Sequence, residues 1–169
     1  MNLEQFTSDY LPIKNRLYRF ALRIVDHAAE AEDVVQEVFI KLWNSRHQLT
    51  GIQNVEAWCM TATKNLSIDK LRSKHRRLQP MKAGFDLHDH SATPFQSVAS
   101  DDVIAHVKNL MNNLPEKQRD IMHLRDIEGL TYQEIADTLG LPQEQVKVYL
   151  HRARKAVREG LTQLEPKFK

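Results

Sequence analysis

Residues 130–157, LTYQEIADTLGLPQEQVKVYLHRARKAV, read as two short helices around a tight turn. Thr131 followed three residues later by Glu134 is a capping box, in which each side chain satisfies the other residue's backbone N–H and so starts a helix. Ile135, Ala136 and Leu139 then face inward. Gly140 ends that helix, because glycine accepts the positive φ of a tight corner, and Pro142 sits where the next helix can begin. In the second helix Val146, Leu150, Ala153 and Val157 form an inner stripe, leaving Glu144, Lys147, Val148, His151, Arg152, Lys155 and Arg158 on the outer side. This is helix-turn-helix spacing. From Gln145 to Arg158 the chain carries Lys147, Arg152, Arg154, Lys155 and Arg158 and no acid. A merely solvated helix face mixes its signs, so this one is expected to touch DNA.

Upstream, Leu114-Pro115 starts a helix holding Ile121, Met122 and Leu124 that stops at Gly129. Before it, Ser100 can cap a helix through Val103, Val107, Leu110 and Met111. The stretch QPMKAGFDLHDHSATPFQSVAS, residues 79–100, holds Pro80, Gly84 and Pro94 with no sustained period and reads as a linker. From residue 83 to 102 it carries Asp86, Asp89, Asp101 and Asp102 and no Lys or Arg, so a flexible acidic tether is expected. Asp86, His88, Asp89 and His90 could ligate a metal in principle. They lie in the linker without cysteine partners, so no metal is expected there.

The N-terminal part is helical as well. Phe6, Tyr10, Ile13, Leu17, Phe20, Ala21 and Ile24 keep a spacing of three or four, which predicts a first amphipathic helix ending near Val25. Ala31, Val34, Val35, Val38, Phe39, Leu42 and Trp43 draw a full apolar stripe for a second helix. Asn54 can cap a third, with Ala57, Trp58, Thr61, Ala62, Leu66 and Leu71 along one side and a basic end. No stretch alternates like a strand. The expected fold is all-α, with two small helical domains, residues 1–78 and 101–169, joined by the acidic linker.

Composition sets the class. Hydrophobic residues make up 41% of the 169-residue chain, enough for globular cores, and no apolar run approaches the roughly 18 residues of a membrane span. The start, MNLEQFTSDY, lacks a basic segment followed by an apolar one, so no secretory signal is expected. The single cysteine, Cys59, cannot form an internal disulfide, which fits a reducing cytoplasm, and reads as a small buried apolar residue. The chain has no phosphate-binding glycine loop, no zinc spacing and no nucleophile with a placed base. An enzyme is not expected, nor a cofactor or small-molecule substrate.

Net charge is only +2, but its distribution is uneven. Lys70, Arg72, Lys74, Arg76, Arg77 and Lys82 cluster against Asp69 at the end of the third helix. Asp26, Glu30, Glu32, Asp33 and Glu37 line the segment before it without a single base between them. One small domain thus offers an acidic face to a protein and a basic face to nucleic acid. A self-sufficient helix-turn-helix regulator, with an N-terminal half that senses a ligand or dimerises, has no need of both.

The segments AEDVVQEVFIKLW and AWCMTATKNLSIDKLRSKHRR resemble region 2 of the sigma-70 family of bacterial transcription initiation factors. LPEKQRDIMHLRDIEGLTYQEIADTLGLPQEQVKVYLHRARKAVREGL resembles region 4. With only a linker between them, the chain resembles the extracytoplasmic-function (ECF) group. The resemblance implies a promoter-specificity subunit that binds RNA polymerase core, recognises −10 and −35 elements and helps to melt DNA. Its implied partners are the polymerase β′ coiled coil and β flap, promoter DNA and an anti-sigma factor. The DxxQE segment that docks on β′ falls here on Asp33, Gln36 and Glu37. The −10 contacts fall on Asn65, Asp69, Arg72, Lys74, Arg76 and Arg77, and the −35 contacts on Lys147, His151, Arg152 and Lys155, with Arg158 on phosphate. The resemblance also makes the loop from Arg46 to Gln53 a pocket for an unstacked base. Val148-Tyr149 departs from the family's frequent Ser-Arg at those positions.

Overall fold

The computed structural model describes residues 1–78 and 100–164. Residues 79–99 of the expected linker, with Asp86, His88, Asp89 and His90, fall outside these residues, and its last residue, Ser100, begins a helix. Every regular element among the described residues is helical, and they form two units, one built on the helices before residue 79 together with Ala136–Gly140 and one on the rest of the chain after residue 99.

In the first unit, α1 spans Leu3–Tyr10, α2 Lys14–Val25, α3 Ala28–Asn44 and α4 Val55–Leu78. The single first helix expected from the apolar spacing is therefore two. Pro12 breaks it with a 3-10 turn over Leu11–Ile13, since proline has no N–H to continue the ladder and its ring crowds the carbonyl four residues back. The predicted end at Val25 holds: Asp26 takes a left-handed conformation, φ 52°, and closes α2. At the next start the Glu30 N–H donates to His27 Nδ1 over 3.4 Å, so a histidine caps α3.

Leu17, Phe20 and Ala21 of α2 meet Ala31, Val34, Val35, Val38 and Leu42 of α3, all buried, in the core of this unit. Phe6 of α1 closes one side, its ring edge-to-face with Trp43 at 5.1 Å between centroids. Asn54 caps α4 as its sequence indicates, accepting from the Ala57 N–H over 2.9 Å.

The inner face of α4 is rotated from the expected one. Ala57, Cys59, Met60, Thr63 and Ser67 are buried, whereas Trp58, Thr61, Ala62, Leu66 and Leu71 are only half-buried. This helix packs against both α2 and α3, and small side chains let three helices come close. The Thr63 hydroxyl donates to the Cys59 carbonyl over 2.8 Å, so a polar residue is accommodated inside.

After residue 99, α5 spans Ser100–Asn112, α6 Glu116–Met122, α7 Tyr132–Leu139 and α8 Gln143–Leu164. Asp102, counted with the acidic run of the tether, lies within α5. Between α6 and α7 the chain winds into a π turn over His123–Ile127 and leaves it at Gly129, φ 71°. Two buried side chains flank that turn, His123 at its start and Glu128 just after it, with Nε2 and Oε1 3.3 Å apart. Helix α8 packs against α5 and α6, and Gly160 leaves room for the Leu110 side chain, which a Cβ would strike.

Candidate functional site

The helix-turn-helix forms as its residues dictate. The Thr131 N–H donates to Glu134 Oε2 over 2.8 Å and the Glu134 N–H to Thr131 Oγ1 over 3.2 Å, a closed capping box at the head of α7. Gly140 makes the corner with φ 65°. Val146, Leu150, Ala153 and Val157 are all buried, and Glu144, Lys147, Val148, His151, Arg152, Lys155 and Arg158 are all exposed. Lys147, His151, Lys155 and Arg158 recur at helical spacing along one strip, while Val148 and Arg152 lie on the adjoining strip.

A groove of about 590 Å³ runs along this strip, lined by Tyr132, Lys147, His151, Arg154, Lys155 and Arg158. Glu159 also lines it, 4.0 Å from Lys155 Nζ, but Lys147, Arg154, Lys155 and Arg158 leave its net charge positive, which suits an anionic backbone. Arg152 is not part of it. Two members, Tyr132 and Arg154, are not among the expected −35 contacts. Tyr132 lies under the Lys147 ammonium, 5.5 Å from its ring centroid, and Arg154 is engaged with Asp126. The capping box made Tyr132 look like an ordinary first-turn residue, and nothing local pairs Arg154 with a residue 28 positions away.

On α4 the candidate −10 residues divide. Asn65, Asp69, Arg72 and Arg76 share the exposed face turned away from the core, and Arg77 stands exposed at its side. Lys74 lies on the other side of the helix and is half-buried. Among the described neighbours of this row, Lys70 is turned toward α3, its Nζ 3.9 Å from Asp33 Oδ2.

Asp33, Gln36 and Glu37 are exposed together on α3. Lys41 lies one turn beyond Glu37, Nζ to Oε1 3.7 Å, so both carboxylates of the trio have a cation nearby in the free chain. Beside Gln36 opens a groove of about 790 Å³ between α2 and α3, lined among others by Leu11, Tyr18, Val35, Phe39 and Ile40. Ile40, 59% exposed, and Leu11, 51% exposed, are its outer lips. Both stand off the apolar stripes that mark the core, and that displacement is the sequence signal for a surface groove.

The loop after α3 carries Arg46, whose guanidinium stacks on Trp43 at 4.2 Å and donates to the Trp43 carbonyl over 2.9 Å. Trp58 is half-buried. Cys59 is fully buried, and burial, with a smaller effect of the Glu56 carboxylate, pushes its thiol up to about 12.

A protein whose described elements are all helical, with a helix-turn-helix in its second half and a basic helix beside an acidic one in its first, is the class these features define. The family is given by comparison with known proteins. Residues 10–77 match the family model for sigma-70 region 2, and residues 106–157 the one for sigma-70, region 4. The ECF RNA polymerase sigma factor SigL of Mycobacterium tuberculosis (strain ATCC 35801 / TMC 107 / Erdman) is 32% identical over 154 residues, covering 88% of this chain and 84% of that protein. SigE of Mycolicibacterium smegmatis, also an ECF sigma factor, is 32% identical over 154 residues, or 87% of this chain, and the match spans 58% of the length of that relative. A solved structure of the sigma factor RpoE in complex with the anti-sigma factor NepR, from Bartonella quintana, superposes with a TM-score of 0.75 at 25% identity, covering 95% of this chain and 98% of that one. The chain belongs to the ECF group of the sigma-70 family, the sigma factors of bacterial RNA polymerase.

Proposed function

We propose that the chain binds RNA polymerase core and directs it to promoters, reading the −35 element with α8 and the −10 element with α4. Asp33, Gln36 and Glu37 dock on the β′ coiled coil. Residues 101–169 sit on the β flap and present Lys147, His151, Arg152, Lys155 and Arg158 to DNA. Asn65, Asp69, Arg72, Lys74, Arg76 and Arg77 meet the melted −10 strand, where the basic side chains take phosphates and Asn65 a base edge. Residues 1–78 and 101–169 act as separate domains, and the acidic linker 79–100 lies in the polymerase cleft. The site of action is the cytoplasm, where the polymerase works, and no described helix is long and apolar enough to cross a membrane.

The observation that carries this reading is the adjacency of the exposed acidic trio on α3 and the exposed row Asn65, Asp69, Arg72 and Arg76 on α4 within one unit, in a chain that also carries the helix-turn-helix of α7 and α8. A stand-alone regulator needs a single DNA-reading element. An anti-sigma factor is a further proposed partner, by analogy with the RpoE complex with NepR.

Holoenzyme assembly tests the proposal. Purified chain mixed with core polymerase is expected to co-elute with it on size-exclusion chromatography and to be displaced by a second, labelled sigma factor. Failure to co-elute at micromolar concentration removes the polymerase reading, and with it the −10 and −35 assignments.

A further inference from the structure

Arg154 stands in the basic run of the recognition helix, yet it is turned to its own protein. Its Nε lies 3.1 Å from Asp126 Oδ2 while a terminal nitrogen meets Oδ1, a two-point fork between guanidinium and carboxylate. The hydrogen bond to Asp126 also raises the affinity of Arg154 for its proton. Asp126 belongs to the π turn between α6 and α7. A π turn inserts one residue into helical winding and so rotates the chain beyond it, and here buried His123 and Glu128 flank the turn.

A second tie joins α7 to these two elements. The Tyr132 ring at the head of α7 has the Arg125 guanidinium of the π turn 4.6 Å from its centroid and the Lys147 ammonium of α8 at 5.5 Å. Arg125 is itself held, its guanidinium donating to the Leu130 carbonyl over 2.8 Å. Gln143 at the start of α8 donates to Gln133 of α7 over 2.6 Å.

We infer that Asp126, Arg154 and Tyr132 are positioning residues that fix the rotation of α8 against the π turn and α7, and that Arg154 is not a phosphate ligand. The inference rests on α8 being the helix that reads the −35 element. Helix α8 buries only one stripe, Val146, Leu150, Ala153 and Val157, and such a stripe tolerates small rotations. A forked ion pair and a ring shared by two cations do not tolerate them, because both depend on direction. The strip of Lys147, His151, Lys155 and Arg158 thereby meets the groove at one angle. The device separates the cations of α8 into two jobs: Arg154 orients, and the strip binds.

The experiment uses holoenzyme assembled from core polymerase and the full chain, and DNA whose −35 element has been selected by that wild-type holoenzyme from a randomised library. Affinity is measured against salt on the selected and on a scrambled −35 sequence for Asp126→Ala, Asp126→Asn, Arg154→Ala and the reversed pair Asp126→Arg with Arg154→Asp, with helical content and melting recorded. Each single variant is expected to lose roughly five- to tenfold on the selected DNA and less on the scrambled one, with an unchanged salt slope. The reversed pair is expected to recover most of the loss. Tyr132→Phe is expected to keep the preference and Tyr132→Leu to reduce it. An equal loss on both DNAs for Arg154→Ala, with a slope smaller by about one, makes Arg154 a phosphate ligand and overturns the inference. Wild-type behaviour of both Asp126 variants overturns it as well. Recovery of no enriched −35 sequence by the wild-type holoenzyme is a different failure, that of the reading on which the inference rests.

Discussion

Lys70 on α4 stands 3.9 Å from Asp33 on α3, so the helix carrying the candidate promoter cations is tied to the helix carrying the candidate polymerase face. The Asp33 side chain is 65% exposed, and an ion pair that open to water contributes at most about 1 kcal/mol. Such a pair restrains Asp33 weakly and leaves it available to a basic partner.

Replacing Asp33 and Glu37 together with Lys is therefore expected to leave the unit folded while reversing the charge of the docking face. Like charges across an interface disfavour binding by several kcal/mol, which is a loss of core affinity of about thirtyfold or more. Competition binding to core polymerase with circular dichroism on the same sample checks this. Unchanged affinity in the folded double variant removes the trio from the interface.

Cys59 gives a prediction in pH. Its thiol ionises near 9.0 in an unfolded chain and only at about 12 in the folded one, so the native state keeps a proton that the unfolded state releases. The stabilisation from holding that proton is complete below pH 9.0 and is lost progressively as pH rises toward about 12. Denaturant midpoints measured across that window should fall more steeply for wild type than for Cys59→Ala. A thiol reagent at pH 8 should label the native protein only on unfolding. Rapid labelling of the folded chain contradicts the burial.

Much of this fold is legible from residues, and the failures have physical causes. The α8 stripe and its outer face match throughout, because a helix lying on one side of a core has one apolar face and one solvated face. The Thr131 box, the Asn54 cap and the Gly140 corner match because each is a local bond or a local φ. The α4 face departs from its apolar spacing because that helix touches two others, so Thr63 and Ser67 lie inside while Trp58 and Leu66 lie at the margin. The apolar period runs straight through Pro12 and hides the break there. The bonds of Asp126 to Arg154 and of Tyr132 to Lys147 are illegible, since they depend on a π turn that no residue type announces.

Gly140 is expected to resist substitution for reasons of backbone alone. Its φ of 65° is left-handed and a Cβ there would meet nothing within 4 Å. Gly140→Ala should therefore destabilise the helix-turn-helix unit by about 1 to 2 kcal/mol without a packing defect. Chemical denaturation with unaltered native helicity checks the magnitude. A neutral result would show that the corner can be turned another way.

Val148, 47% exposed on the outer side of α8, stands where the family often has Ser, and Tyr149 beside it replaces the frequent Arg, so this part of the helix lacks a cation. Val148→Arg is expected to strengthen binding to all DNA alike and to raise the salt slope by about one, as an added phosphate contact does. Arg158→Ala should lower the slope by about one, also without regard to sequence. Arg152→Ala should instead weaken cognate −35 DNA by about 1 to 3 kcal/mol and unrelated DNA less. Salt titrations of holoenzyme on both DNAs separate the three, and an equal loss on both for Arg152→Ala removes it from the specificity residues.

The most direct test of the central claim is transcription with purified components. Core polymerase and this chain, supplied with genomic promoter fragments, should together yield discrete transcripts that neither yields alone, and the Asp33→Lys, Glu37→Lys double variant should abolish them. Sequence-specific binding of DNA by the chain alone, with no transcript above the background of core polymerase, would contradict the account and identify a stand-alone regulator.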